Sequence, residues 1–202
     1  MPDKKLHWEN VYATKSPDEV SWTQEVPQTS LNFINGFNLP KSASIIDIGG
    51  GDSKLVDYLL ENGYQHITVL DISSVSLERA KKRLGDKADQ VQWIVSDITE
   101  FKPAVSYDVW HDRATFHFLT TAEQIKSYKE IVKANVKGYM VIGTFSTGGP
   151  QKCSGLTIQQ YSEESLNNQF MNDFQKIQCL TEDHKTPFNT MQNFLFCSFK
   201  RN

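Results

Sequence analysis

The sequence lacks an excess of charge of either sign, and it lacks any long apolar run. Its 202 residues include 21 lysines and arginines against 24 aspartates and glutamates, which gives a formal net charge of −3. Because domains that bind nucleic acid usually carry a basic excess, this balance disfavours nucleic acid as a partner. No apolar run reaches the ~18 residues of a membrane span, and the first residues form no apolar signal sequence. These absences predict a cytoplasmic protein without a membrane anchor.

Cysteine is also scarce. The chain has three cysteines, Cys153, Cys179 and Cys197, and none of them forms a CxxC pair. An odd number of widely spaced cysteines predicts reduced thiols, as in cytosolic proteins. His111, His117 and the acids near them do not have the spacing of a zinc site, so we expect no metal. With 39% hydrophobic and 22% charged residues, the composition is that of one globular domain with a full core.

Three consecutive glycines lie within the stretch Ile45–Lys54, which reads Ile-Ile-Asp-Ile-Gly-Gly-Gly-Asp-Ser-Lys. The apolar, β-branched start predicts a strand, and a helical pattern begins directly after the glycines. Glycine accepts a positive φ and lets the backbone approach a ligand, while a helix N-terminus offers free N–H groups and a positive dipole end. Together they predict a cradle for a nucleotide-like ligand at the end of a buried strand. A purely structural turn between strand and helix is the alternative.

Strands and helices alternate along the middle of the chain. We predict strands at residues 43–48, 66–70, 91–95, 107–111 and 139–145, and helices at residues 53–62, 75–84 and 122–135. This alternation indicates parallel βαβ units and a doubly wound, Rossmann-like α/β fold with helices on both faces of the sheet. Two later strands, near residues 176–180 and 192–199, predict an antiparallel pair at one edge of the sheet.

We divide the single predicted domain, residues 1–202, into three parts. Residues 1–40 form an N-terminal lid and a helix that begins near Pro27. Residues 41–145 form the cofactor-binding core. Residues 146–202 form a loop, a helix and the antiparallel strand pair on the substrate side.

The lid is inferred from three large aromatic residues, Trp8, Tyr12 and Trp22, in an otherwise polar stretch that has no clear strand or helix pattern. A segment that closes over a ligand and excludes water would have this composition. We therefore expect Tyr12 or Trp22 to contact the ligand. Ordinary core packing of these aromatic residues is the alternative.

Polar residues follow the ends of the predicted strands beyond the glycines. Asp71 lies about twenty residues past the glycine turn, the spacing at which an acid reaches a ribose. Asp97 ends the third strand, where its carboxylate would accept from an adenine amine, and His111 with Asp112 ends the fourth. Any one of these acids also suits a helix cap, but their agreement at neighbouring strand ends favours a ligand site.

These residues resemble a known family. The run Asp47–Asp52 resembles the nucleotide-binding motif of class I S-adenosylmethionine-dependent methyltransferases, and Asp71 matches their ribose acid. Ser96–Ile98 matches their adenine motif, and Asp108–Arg113 matches the motif beside the methyl group. The family often has glycine where this chain has Ser53, which is able to cap the following helix.

The resemblance covers nearly the whole chain. Three further segments are similar to a mostly bacterial, poorly characterised branch of the family that partly resembles small protein-lysine methyltransferases: Trp8–Gln24, His111–Leu119 and Gly149–Leu156. It implies a seven-stranded, mostly parallel sheet whose last strand is antiparallel. It also implies S-adenosyl-L-methionine as cofactor, with S-adenosyl-L-homocysteine as product. The cofactor-binding residues that it implies are Asp47, Gly49, Gly50, Gly51, Asp71, Ile72, Asp97, Ile98, Trp110 and His111, to which the lid adds Tyr12 and Trp22.

Methyl transfer from a sulfonium is an in-line displacement, so catalysis rests on positioning and on removing a proton from the acceptor. His111 and Asp112 are the candidates for orienting or deprotonating the acceptor, and His184 is a further polar candidate. His117 is expected to pack inside the fold, and Cys153 is expected to be unreactive. The acceptor is expected to be a small molecule or a protein. Its identity and the oligomeric state stay open.

Two other functions fit part of the pattern. A nicotinamide-dependent oxidoreductase would also use the glycines and Asp71, but the third glycine of G-x-G-x-x-G would fall at Lys54 and Asp97 would have no role. A non-catalytic module that only binds the cofactor is the other alternative, and the run His111–Arg113 argues against it.

Overall fold

A seven-stranded sheet forms the centre of the computed structural model, which describes residues 4–202. The strands, in chain order, are β1 (Ser44–Ile48), β2 (His66–Asp71), β3 (Val91–Val95), β4 (Tyr107–Arg113), β5 (Val136–Phe145), β6 (Lys152–Cys153), β7 (Leu156–Thr157), β8 (Phe174–Lys185) and β9 (Met191–Arg201). The helices are α1 (Lys4–Thr14), α2 (Gln28–Gly36), α3 (Leu55–Glu61), α4 (Ser74–Leu84), α5 (Ala122–Asn135) and α6 (Glu163–Phe170). Three short 3₁₀ turns cover Pro17–Glu19, Gly85–Gln90 and Phe116–Phe118.

The order of strands in the sheet is β3-β2-β1-β4-β5-β9-β8. Strands β1 to β5 are parallel, and β9 runs antiparallel to both β5 and β8. This confirms the predicted Rossmann-like sheet with an antiparallel last strand. After β3 the chain crosses the sheet to place β4 beside β1, so a crevice opens between the carboxyl ends of these two strands.

Alternate residues of the central strands enter two different cores. Ile45 and Val109 pack with apolar residues of α2 and α3 on one face. Ile46 and Trp110 pack with apolar residues of α5 and α6 on the other face. Because successive side chains of a strand point to opposite faces, this pattern fixes which way the polar residues at the strand ends are directed.

The N-terminal segment is more regular than predicted. Residues 4–14 form helix α1, although the sequence pattern there predicts no clear strand or helix. Trp8, Val11 and Tyr12 have the i, i+3, i+4 spacing that places them on one helical face, and Val11 and Tyr12 are buried. Residues 1–3 of the predicted lid lie outside the described residues.

The C-terminal part differs from prediction in two details. Cys179 and Cys197 lie directly opposite each other on β8 and β9 and form a disulfide, so the prediction of three reduced thiols is wrong for this pair. Cys153 is a free, buried thiol. The polar loop after β5 contains the small hairpin of β6 and β7.

Among the helices of residues 4–202, none has the length and apolar character needed to cross a membrane.

Gly138 gives a test of how closely β4 and β5 approach each other. A Cβ at this position would lie 2.4 Å from the backbone oxygen of Asp108, beside the point where the pairing of the two strands shifts register. Only a backbone movement relieves that collision, so Gly138→Ala should lower the free energy of unfolding by roughly 1–3 kcal/mol in urea denaturation.

The matched control for Gly138→Ala is Gly36→Ala at the end of α2. A Cβ there meets no atom within 4 Å, so stability should stay within about 0.5 kcal/mol of the wild type. Equal stability of the Gly138 variant and the wild type would contradict the close approach of the strands.

Candidate active site

A cavity lies at the carboxyl ends of β1, β2, β3 and β4, beneath α1 and the segment that follows it. Its empty space, which includes the part open to solvent, is about 1440 Å³. Most of the predicted site residues line it, namely Tyr12, Trp22, Asp47, Gly49, Gly50, Asp71, Ile72, Asp97, Ile98 and His111. The structure thus brings four strand ends and aromatic residues of the N-terminal segment together around one space.

The glycine turn follows β1 and forms one wall of the cavity. Gly49 and Gly51 have φ values of +63° and +54°, a backbone conformation that favours glycine. The N–H of Gly50 donates to the carbonyl of Leu70 at 3.1 Å, which attaches the turn to β2. A Cβ on Gly50 would lie 2.7 Å from Asp47 Oδ2. The turn therefore has a conformation and a packing that only glycine fits.

Gly51 lies below α1 and is not among the residues that line the cavity. A Cβ at Gly51 would lie 2.6 Å from the hydroxyl of Tyr12, which covers the turn at this point. Ser53 Oγ accepts a hydrogen bond from the N–H of Leu55 at 3.2 Å. Ser53 therefore supports the start of α3, as its side chain led us to expect.

Asp71, at the end of β2, is only 6% exposed. Its Oδ1 accepts a hydrogen bond from the N–H of Ser73 at 2.8 Å. Burial raises the pKa of Asp71 to about 7, although hydrogen bonds from Ser73, Ser76 and Gly51 oppose the shift. This carboxyl group therefore titrates near neutral pH and lacks a cationic partner among the interactions that shift its pKa.

Asp97 and Ile98 line the cavity at the end of β3. Asp97 Oδ1 accepts from the N–H and the hydroxyl of Thr99, at 2.8 Å and 2.7 Å. These two bonds fix the carboxylate beside Ile98, which is buried. A flat apolar ring with a polar edge fits such a neighbourhood.

His111 points to the cavity face of β4, opposite Asp47 on β1. Its Nδ1 lies 2.7 Å from Asp47 Oδ1, and its Nε2 lies 2.8 Å from the hydroxyl oxygen of Ser30 on α2. All three side chains line the cavity, but His111 itself is only 2% exposed. With Nδ1 protonated toward the carboxylate, Nε2 accepts from Ser30. Sequence reasoning missed Ser30 because nothing local marks it.

Asp112 points the other way and does not line the cavity. Its Oδ1 accepts from the N–H groups of Thr115 and Phe116, at 3.0 Å and 3.1 Å, and its Oδ2 accepts from the hydroxyl of Tyr128 at 2.8 Å. Burial raises the pKa of Asp112 to about 6, although these hydrogen bonds oppose the shift. Asp112 thus holds the turn after β4 against α5, and the expectation that it meets the acceptor beside His111 is corrected.

Trp110 shares the side of the sheet that faces α5. It is fully buried, and its Nε1 donates to the Tyr128 hydroxyl at 2.9 Å. Its side chain therefore cannot be a cavity contact, which leaves only its backbone for the predicted cofactor role.

The roof of the cavity is a cluster of aromatic rings. The ring of Trp8 lies 5.6 Å from that of Trp22 and 5.2 Å from that of Phe118, and Tyr12 lies 6.2 Å from Trp22. Lys4 Nζ donates to the carbonyl of Phe118 at 3.2 Å. Edge-to-face contacts of this kind stabilise the roof while leaving ring surface toward the cavity.

Glu9 attaches the roof to α4, and sequence reasoning missed it. Its Oε1 accepts from the N–H and the hydroxyl of Ser74, both at 2.8 Å. Its Oε2 accepts from the hydroxyl of Ser73 at 2.8 Å and from the N–H of Val75 at 3.0 Å. Burial alone would raise the pKa of Glu9, but these hydrogen bonds lower it to about 2. Since α4 has no acid in its own first turn, Glu9 supplies the charge that its N-terminus favours.

The remaining candidates lie in less reactive surroundings. His117 is fully buried, accepts from the N–H of Phe145 at 3.3 Å, and has its pKa lowered to about 3 by burial and by Arg113. His184 Nε2 lies 2.8 Å from the carbonyl oxygen of Ser21 and is not a cavity residue. Burial raises the pKa of Cys153 to about 12, so its thiol stays protonated.

Similar proteins are known. Residues 45–138 match a family described as a methyltransferase domain. The malonyl-[acyl-carrier protein] O-methyltransferase of Anoxybacillus flavithermus is 34% identical over 104 residues, which make up 50% of this chain and 39% of that protein. This chain thus spans well under half of that relative. The human EEF1A lysine methyltransferase 2 is 22% identical over 193 residues, which make up 90% of this chain and 76% of the relative.

A solved structure shares the fold over its whole length. The crystal structure of magnesium protoporphyrin IX methyltransferase from Synechocystis PCC 6803 with bound SAM has a TM-score of 0.73 and 15% identity, covering 100% of this chain and 99% of that one. The family match spans β1 to the start of β5, and it includes the glycine turn and every strand end that lines the cavity. In this match, this fold and these strand-end motifs, the chain is similar to class I S-adenosylmethionine-dependent methyltransferases.

Proposed function

We propose that this protein transfers a methyl group from S-adenosylmethionine to a nucleophile on a small molecule or a protein. One observation carries the proposal: the glycine turn, Asp71, Asp97 and His111 meet in a single cavity although each lies in or near the carboxyl end of a different strand. An open parallel sheet binds its ligand at this place, at the point where the strand order reverses. The family relatives above support the same chemistry.

The cavity residues fit the parts of the cofactor. Asp71 would accept from both ribose hydroxyls, and Asp97 with Ile98 would hold the adenine. The backbone of Gly49 and Gly50 would lie along the methionine part, in a turn so closely packed that a Cβ on Gly49 would collide with Thr115 and one on Gly50 with Asp47. When bound, the cofactor supplies an electrophilic methyl group on a sulfonium.

The proton of the acceptor has a route into the protein. Ser30 lines the cavity, and its hydroxyl is hydrogen-bonded to Nε2 of His111. Nδ1 of His111 is in turn hydrogen-bonded to Asp47. As the acceptor loses its proton to the Ser30 oxygen, the Ser30 proton moves to His111, and Asp47 stabilises the resulting imidazolium. His111 therefore acts through Ser30, because its own ring is covered.

We further propose that α1 and the residues up to 24 form a lid. Trp8, Tyr12 and Trp22 face the cavity from this segment. Polar contacts contribute to its attachment, through Glu9 on α4 and Lys4 on the carbonyl of Phe118, beside the packing of Trp8 on Phe118. A segment held partly by exchangeable hydrogen bonds opens more readily than one that belongs entirely to a continuous apolar core. Closure of this segment would exclude water from the methyl group.

The pH dependence of cofactor binding tests the role of Asp71. The pKa of its carboxyl is about 7 without ligand. The ionised carboxylate accepts hydrogen bonds from both ribose hydroxyls, whereas a protonated carboxyl group has lost part of its capacity to accept them. Affinity for S-adenosylhomocysteine should therefore fall as the pH drops below about 7, approaching tenfold per unit. Titration calorimetry between about pH 5.5 and pH 8.5 measures this fall and the accompanying release of protons.

Variants complete the Asp71 experiment. Asp71→Asn should weaken binding by roughly 1–3 kcal/mol and remove the pH dependence. Asp86→Asn, a change of the same kind at an exposed acid, should leave both unchanged. In thermal unfolding, S-adenosylhomocysteine should stabilise the protein and NAD should not. Stabilisation by NAD alone would overturn the proposed cofactor.

Limited proteolysis tests the lid. Glu9→Ala removes the carboxylate that caps α4, a change of about 0.5–2 kcal/mol, so trypsin should cut after the exposed Lys15 faster than in the wild type. In the wild type, the hydrogen bonds between Glu9 and the N-terminus of α4 should persist down to about pH 4. They should weaken as the pH falls toward about 2, where Glu9 gains a proton.

The control for this variant is Glu130→Ala, which removes an exposed acid on α5. S-adenosylhomocysteine should slow the cleavage of the wild type at Lys15. If the cleavage rate were the same with and without S-adenosylhomocysteine, α1 would be a fixed part of the domain and not a lid.

A further inference from the structure

Arg113 is a charged cavity residue that the proposed function leaves without a role. It is the last residue of β4 and lies two positions after His111, so both side chains point to the cavity face. In the sheet, β4 lies on one side of β1, while β2 and β3, which carry Asp71 and Asp97, lie on the other. Arg113 therefore stands at the end of the cavity away from the ribose and adenine acids.

The guanidinium of Arg113 is only partly satisfied. Its Nη1 donates to the carbonyl of Trp22 at 3.0 Å, and the group lies over the ring of Phe194 at 4.6 Å. Nε and Nη2 are shut off from solvent and have no hydrogen-bond partner within residues 4–202. Burial lowers the pKa of Arg113 to about 10, so the group stays protonated at neutral pH.

No acid of the described chain neutralises this charge at close range. Glu182 and Asp47 lie near enough to act on Arg113 electrostatically, yet neither forms an ion pair with it. Glu182 accepts a hydrogen bond from the hydroxyl of Thr29, and Asp47 is bonded to His111. Buried charged groups are normally paired, because an unpaired donor loses its hydrogen bonds to water without replacement. This arrangement is the one expected of an anion-binding site.

The groups around Arg113 indicate which class of anion the site would bind. A guanidinium fork matches the two oxygens of a carboxylate. Because Asp47 and Glu182 already contribute negative charge nearby, a single negative charge suits this place better than the two of a phosphate monoester. Trp22, whose carbonyl Arg113 contacts, lines the cavity together with the adjoining rings of Trp8 and Phe118. They fit a flat or apolar body attached to the anion.

We propose that Arg113 binds a carboxylate of the methyl acceptor, and that the acceptor is a small aromatic or apolar carboxylic acid. This inference rests on the proposed function, since it places the acceptor in the same cavity as the cofactor. Arg113 is then the specificity-determining residue: it selects the acid over its uncharged analogues and holds it beside Ser30 and His111.

Pairs of simple ligands test the inference without knowledge of the natural acceptor. Benzoate, phenylacetate and hexanoate are each compared with their primary amides by titration calorimetry, with the protein saturated in S-adenosylhomocysteine. At least one acid should bind roughly tenfold more tightly than its amide, the effect of a charge-assisted hydrogen-bond pair. If no acid exceeds its amide, or if inorganic phosphate binds more tightly than every acid, the inference is wrong.

Three variants assign the preference to Arg113. Arg113→Met should remove the preference for acids, and Arg113→Lys should keep only part of it, because lysine retains the charge without the fork. Arg201→Met is the matched control, since Arg201 also lies over an aromatic ring but is not among the residues that line the cavity. It should bind the acids as the wild type does. If Arg113→Met does not fold, Arg113→Lys and the wild-type comparison of acid with amide decide the matter.

Binding of S-adenosylhomocysteine, measured first, separates the two proposals. If the wild type does not bind it, the proposed function fails. If it binds and Arg113→Met retains the full preference for acids, only the role of Arg113 fails. The affinity of the Arg113 variants for S-adenosylhomocysteine should stay close to that of the wild type, because Arg113 lies away from Asp71 and Asp97.

Discussion

The alternation of side chains along β1 and β4 is the constraint on which the rest of the site depends. Both strands are buried on both faces, so a shift of one residue would exchange the core with the cavity. In the observed register, Asp47, His111 and Arg113 face the cavity. Trp110 and Asp112 face α5 instead, where both bond to Tyr128. One strand thus supplies the proposed proton route on one side and fixes the turn after it on the other.

Much of the fold and part of the site could be predicted from the sequence. The strands and helices follow from their periodic patterns, and Gly49, Asp71 and Asp97 could be found because each lies at the end of its own strand. Asp112 was misassigned because adjacency in sequence was taken for adjacency in space. The strand periodicity that corrects this error was available from the sequence.

Other features depend on distant contacts that no local pattern shows. Glu9 meets Ser74 across 65 residues, and Ser30 meets His111 across 81. The disulfide required the register of β8 against β9, which the sequence does not state. Helix α1 is a different case, since the spacing of Trp8, Val11 and Tyr12 is visible in the sequence. The polar residues between them and the exposed Leu6 interrupt the apolar pattern, so the sequence does not indicate a helix clearly.

Ser73 connects two acids with different tasks. Its N–H donates to Asp71, at the proposed ribose site, and its hydroxyl donates to Glu9, on the proposed lid, each at 2.8 Å. The same hydroxyl accepts from the N–H of Ser76 at 3.2 Å, within the first turn of α4. An opening of α1 therefore disturbs the residue that orients Asp71. By thermodynamic reciprocity, occupancy of the ribose site and the position of α1 must influence each other by the same free energy. The proposed lid and the proposed ribose site are therefore coupled through one buried serine.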